Sequence, residues 1–153
     1  MPWQVVKPIL LIQKSGDLCT RPYPLHPKGC PNWGIRPTCP PVAPALSDIL
    51  TEPIYAIWNI FPFREHVEKM RKFHPLWSDR QVRCCLYWQG TARKELRLKV
   101  ARFLENNSMQ VVWVPEACGV NVTATMREIG ERLEWPPENI AYQVVLAACP
   151  PSG

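Results

Sequence analysis

Pro53-Ile54-Tyr55-Ala56-Ile57-Trp58-Asn59-Ile60 is a continuous run of apolar, aromatic and β-branched side chains. Such a run does not alternate as a half-exposed strand would, so it reads as a strand buried on both faces. Downstream, Phe63, Val67, Met70 and His74 recur at helical spacing and stop at His74-Pro75, because proline disfavours helix in the residue before it. Ser78-Asp79-Arg80-Gln81 has the capping-box pattern, which starts a second helix. Val82, Leu86, Ala92, Leu96, Val100 and Phe103 continue one stripe to about Glu105, with Gly90 as a point of interruption and Cys85 on the apolar side. Asn106-Asn107-Ser108 is a stop. Met109–Val114 reads as a second strand and Ile140–Ala147 as a third. Val5–Ile12 is a fourth. Val122, Met126 and Ile129 mark a short helix ending near Gly130, capped by Asn121 or Thr123. Strands alternating with helices predict a small single α/β domain over residues 1–153, with a partly parallel sheet.

Upstream of that first strand the chain changes character. Residues 13–53 carry Cys19, Pro22, Pro24, Pro27, Cys30, Pro31, Pro37, Cys39, Pro40 and Pro41. A loop this long inside a compact domain needs something to hold it, and Tyr23, Leu25, Trp33 and Ile35 are too apolar for a disordered linker. The whole chain has 18 prolines in 153 residues, which excludes a coiled coil or plain helical bundle. The opening apolar run is too short and interrupted for a signal peptide. No stretch approaches the roughly 20 apolar residues that span a bilayer. The expected location is therefore the cytoplasm. There, clustered thiols serve as metal ligands more often than as disulfides. An odd count of seven cysteines also fits poorly with a complete disulfide framework. The net charge of +5 is mild and alone says little about nucleic acid.

The first three cysteines are spaced Cys19-x10-Cys30-x8-Cys39, with no CxxC pair. Zinc ribbons and fingers take ligands in closely spaced pairs. Dispersed loop thiolates fit an iron–sulfur cluster better. Lys28-Gly29-Cys30-Pro31 and Thr38-Cys39-Pro40-Pro41 are stiffened turns, and Gly29 allows close backbone approach. Arg21, Lys28 and Arg36 nearby favour thiolate over thiol. The plain alternative is that these cysteines are small buried hydrophobes.

Cys19 followed by Cys30-Pro31-Asn32-Trp33-Gly34-Ile35-Arg36-Pro37-Thr38-Cys39-Pro40-Pro41 resembles the opening of an uncharacterised prokaryotic family of predicted metal-binding proteins, with its Cys…Cys-Pro-x-aromatic-Gly-x4-Cys-Pro-Pro signature. Pro115-Glu116-Ala117-Cys118-Gly119-Val120-Asn121-Val122 is similar to that family's Glu-Ala-Cys-Gly segment. The two patches cover about a quarter of the chain. This chain lacks the further CxxC-bearing insertion usual just before that segment. The resemblance implies metal binding as an iron–sulfur cluster, expected here as [4Fe-4S], and implies no established reaction.

Cys118 is the leading fourth ligand, because it lies between a strand and a helix where α/β sites gather and where a helix N-terminus favours a thiolate. Cys149 and Cys84 are the alternatives. With only Cys19, Cys30 and Cys39 as ligands, one iron stays open for catalysis. With four, electron transfer or structure is favoured. Glu116 and His26 are the candidate acid/base groups, each with an ordinary solvated role as the alternative. His66 and His74 are explained by exposure or capping. Arg80, Arg83, Arg93, Lys94, Arg97, Lys99 and Arg102 crowd one segment. They form either a solvated face or, through Arg93, Lys94, Arg97 and Arg102, a contact for RNA or a nucleotide. No Walker A, GxGxxG, HExxH or GxSxG motif is present.

Three functions remain open. The first is a cluster-dependent enzyme acting on a small molecule or nucleobase, in sulfur or redox chemistry. The second is a non-catalytic iron–sulfur electron carrier or accessory protein with a redox partner. The third is a structural zinc protein with an RNA or protein partner.

Overall fold

The computed structural model describes residues 2–10, 27–28 and 45–151. β2, Thr51–Phe61, extends the run quoted first and is flanked by β1, Trp3–Val6, and β4, Ala141–Cys149; β3, Gln110–Val112, lies beyond β4. The order is β1-β2-β4-β3, and every neighbouring pair is antiparallel.

The expected partly parallel sheet is corrected to a wholly antiparallel one. Although joined through the helix Val122–Arg127, β3 and β4 are antiparallel; β2 and β3 each run antiparallel to β4 and so point the same way. β4 is inserted between them. Strand–helix alternation thus fixes neither strand direction nor adjacency, and the inserted strand is the last in sequence.

The helices are α1 (Leu46–Ile49), α2 (Phe63–Phe73), α3 (Asp79–Val82), α4 (Gln89–Leu104) and α5 (Val122–Arg127), with 3-10 turns at Cys85–Tyr87 and Pro115–Cys118. Both faces of the sheet are covered. On one, Ile54, Ala56 and Trp58 of β2 and Leu146 and Ala148 of β4 pack with Leu46, Leu50, Cys118, Val120, Val122 and Met126. On the other, Ile57, Val145 and Ala147 meet Leu96, Val100 and Phe103 of α4. Burial on both sides is why β2 reads as an unbroken apolar run.

The helix expected from Ser78 to Glu105 is divided. Ser78 caps α3 with both bonds of the box: Gln81 N–H to Ser78 Oγ at 3.2 Å and Ser78 N–H to Gln81 Oε1 at 2.8 Å. Val82 and Trp88 then both bury against Phe61 and Phe63. Six residues apart, they would lie on different sides of one continuous helix. The chain breaks after Arg83, leaving Leu86 and Cys85 exposed rather than in the core. Gly90 falls in the first turn of α4 and interrupts nothing. β3 is shorter than the expected Met109–Val114, since the chain leaves the sheet at Trp113 and Pro115 opens a 3-10 turn.

Candidate functional site

Cys118 ends the turn Pro115–Cys118. Val120 N–H returns to Pro115 O at 3.2 Å, and Gly119 takes φ 87°, which a side chain would strain. The Cys118 side chain joins the apolar cluster of Ile54, Trp58, Val120 and Met126 and is 9% exposed. Burial, and secondarily the Glu116 carboxylate, raise its thiol pKa. Metal ligation would have to displace the thiol proton.

Asn121 caps α5, its Oδ1 accepting Ala124 N–H at 3.0 Å, and Gly130 ends the following turn at φ 87°. The same residues hold the N-terminal segment. Leu10 bridges Val120, Asn121 N–H donates to Ile9 O at 2.7 Å, and Ile9 N–H donates to Thr125 Oγ1 at 2.9 Å. At the far end of the cysteine-rich stretch, Leu46 and Leu50 are buried in the cluster that contains Cys118. Leu10 and Leu46, described residues on either side of the cysteine-rich stretch, thus both meet the group of elements that holds Cys118. Cys19, Cys30, Cys39 and His26 lie outside the described residues.

Cys149 is exposed, and the alternation of β4 puts it on the opposite side from Val144, Leu146 and Ala148. Cys84 is half-buried beside the Val82–Trp88 cluster. Neither shares the position of Cys118. Among the described residues, no group of three or more His, Cys, Asp or Glu side chains is placed to hold a metal ion.

A cleft of about 640 Å³ opens where β3 leaves β4, lined by Arg93, Arg97, Trp113, Glu116, Trp135 and Gln143 among others. Glu116 is solvent-accessible within this cleft, and the surrounding protein raises its carboxyl pKa. Of the basic residues named from sequence, Arg93 and Arg97 reach the cleft, whereas Lys94 and Arg102 are exposed and do not line it. Lys99 instead bonds the buried Asn59 Oδ1 at 2.6 Å, and Arg83 pairs with Asp79 at 3.1 Å.

His74 stacks on Trp77 with centroids 3.7 Å apart. His66 sits beside Phe61 and Phe63 with its pKa lowered by burial and then by Lys69.

The sequence reading missed Trp113, Trp135 and Gln143, which come from separate segments and share no motif. No helix among the described residues is long and apolar enough to cross a membrane. No protein-family model, curated protein or solved structure matches the chain.

Proposed function

We propose that the protein binds a [4Fe-4S] cluster through Cys19, Cys30 and Cys39, with Cys118 as fourth ligand. One observation supports this above the others: the stretch bearing the three cysteines is anchored at Leu10 and at Leu46 on the face that holds Cys118. Such a cluster would supply one-electron transfer, and its binding would contribute part of the folding free energy of the loop. Cys118 is buried and is not among the cleft residues, which favours ligation over a substrate-facing role. Four thiolates favour an electron-transfer or accessory protein over an enzyme with an open iron. If Cys118 does not ligate, the enzyme reading takes precedence, with Glu116 placed to move protons in the cleft.

The test is purification without oxygen, followed by iron and sulfide analysis and a visible spectrum. A brown protein with iron and sulfide near four each per chain is expected. A colourless protein with stoichiometric zinc would overturn the cluster in favour of the structural zinc reading. Cys118→Ala separates the two cluster types: loss of iron supports four thiolates, and an intact cluster supports three.

A further inference from the structure

β3 pairs with β4 only through Leu146, Ala147 and Ala148. The first part of β4, including Gln143, therefore has no strand on that side, and the 640 Å³ cleft occupies the gap. Its volume falls within the usual range for small-molecule sites, about 300–1,000 Å³. Several polar groups line it. Arg93 and Arg97 lie one helical turn apart on α4, and neither has a carboxylate within salt-bridge distance among the described residues. Gln143 lines the cleft, and its buried Oε1 has no hydrogen-bond partner among the described residues. Glu116 adds a second acceptor. Trp113 and Trp135 line the same space at 49% and 68% exposure, and Trp135 is oriented by its Nε1–H bond to Thr123 Oγ1 at 2.9 Å.

We propose that this cleft binds a small planar heteroaromatic anion of the purine nucleoside monophosphate type. Arg93 and Arg97 take the phosphate, Trp113 or Trp135 stacks on the ring, and Gln143 Oε1 accepts an N–H of the base. Each group matches one chemical feature: paired guanidiniums suit a phosphate, an indole suits a π-face, and an unpaired buried acceptor requires a donor. The basic face therefore serves a mononucleotide rather than an RNA strand, because Lys94 and Arg102, which would extend a phosphate track, lie outside the cleft. The assignment goes beyond the cluster and does not depend on it.

Calorimetric titration of the full chain with GMP and AMP, with iron content measured on the same sample, tests it. Saturable one-to-one binding is expected, weakened at least about tenfold in Arg93→Ala/Arg97→Ala. Guanosine and inorganic phosphate should each bind more weakly than GMP. Gln143→Leu should weaken GMP more than it weakens phosphate. These side chains lie at the surface or the cleft wall, and an unchanged melting temperature verifies the fold of each variant. No binding of either nucleotide overturns the proposal, as does binding unaffected by the arginine variant. A 12-residue RNA that binds where the mononucleotides do not would assign the face to RNA instead. Loss of GMP binding with iron retained, or the reverse, separates failure of this site from failure of the cluster assignment.

Discussion

The Thr125 hydroxyl accepts the backbone N–H of Ile9 at 2.9 Å, joining residues 116 apart in sequence. Thr125 is 2% exposed and also donates to Asn121 O at 2.8 Å. With the Asn121–Ile9 and Leu10–Val120 pairings, this fixes where the chain enters its cysteine-rich stretch.

Thr125→Val keeps the shape of the side chain and removes the acceptor. Ile9 N–H then loses its partner, at a cost of about 1–3 kcal/mol. The expected result is a lower melting temperature and faster hydrogen exchange at the Ile9 amide. Thr125→Ser retains the hydroxyl and should preserve the Ile9 protection. Equal exchange at Ile9 in the two variants would show that the hydroxyl does not hold the segment.

Asn59 carries the second prediction. It is 2% exposed within the otherwise apolar β2, and its amide is fully used. Nδ2 donates to Glu95 Oε2 at 3.0 Å and to Ala92 O at 3.3 Å, and Oδ1 accepts from Lys99 at 2.6 Å. Asn59→Leu should destabilise by about 2–3 kcal/mol, because Lys99 and Glu95 lose a partner while partly buried. Adding Lys99→Met should recover part of that loss, since members of one network are not additive. Denaturant midpoints of both single variants and the double variant decide it. A double variant that is weaker by the full sum would show that Lys99 and Asn59 act independently.

Local signals were legible where the physics is local. The Ser78 box, the stop before Pro75 and the Asn121 cap each depend on a few neighbouring residues, and each stands where the sequence placed it, while the helix expected to end near Gly130 ends at Arg127. The buried character of residues 54–58 was also readable, because covering both faces leaves a run without alternation. Insertion of β4 between β2 and β3 was not readable, as it depends on pairing across the whole chain. The break between α3 and α4 was missed because Val82 and Trp88 are pulled to one cluster by Phe61 and Phe63, partners from another element. At the candidate site, the Glu-Ala-Cys-Gly stretch singled out Cys118, which the structure places in a buried apolar cluster. Gln143 was not singled out, since its place in the cleft wall depends on where β3 ends relative to β4, which no local signal fixes.

The last prediction concerns acid. Glu134 Oε1 accepts the backbone N–H groups of Glu138, Asn139 and Ile140 at 3.2, 2.7 and 3.0 Å, and Oε2 accepts Asn139 Nδ2 at 3.1 Å. These bonds, led by that of Ile140, favour the carboxylate and hold its pKa down to about 2, from an ordinary value of 4.5. A folded-state pKa below the unfolded one means that the unfolded chain binds the extra proton between the two values. The stabilisation is therefore complete above the ordinary carboxyl range and is lost as pH falls from 4.5 toward about 2. Glu134→Gln keeps one acceptor oxygen, replaces the other with an NH2 group and removes the titration. Its adverse effect should be largest near neutral pH and should shrink through that acid window. Urea midpoints of wild type and Glu134→Gln at about pH 6 and about pH 2.5 measure the gap at its two ends. A gap that stays constant, or widens in acid, would show that the loop before β4 is not held by the ionised carboxylate.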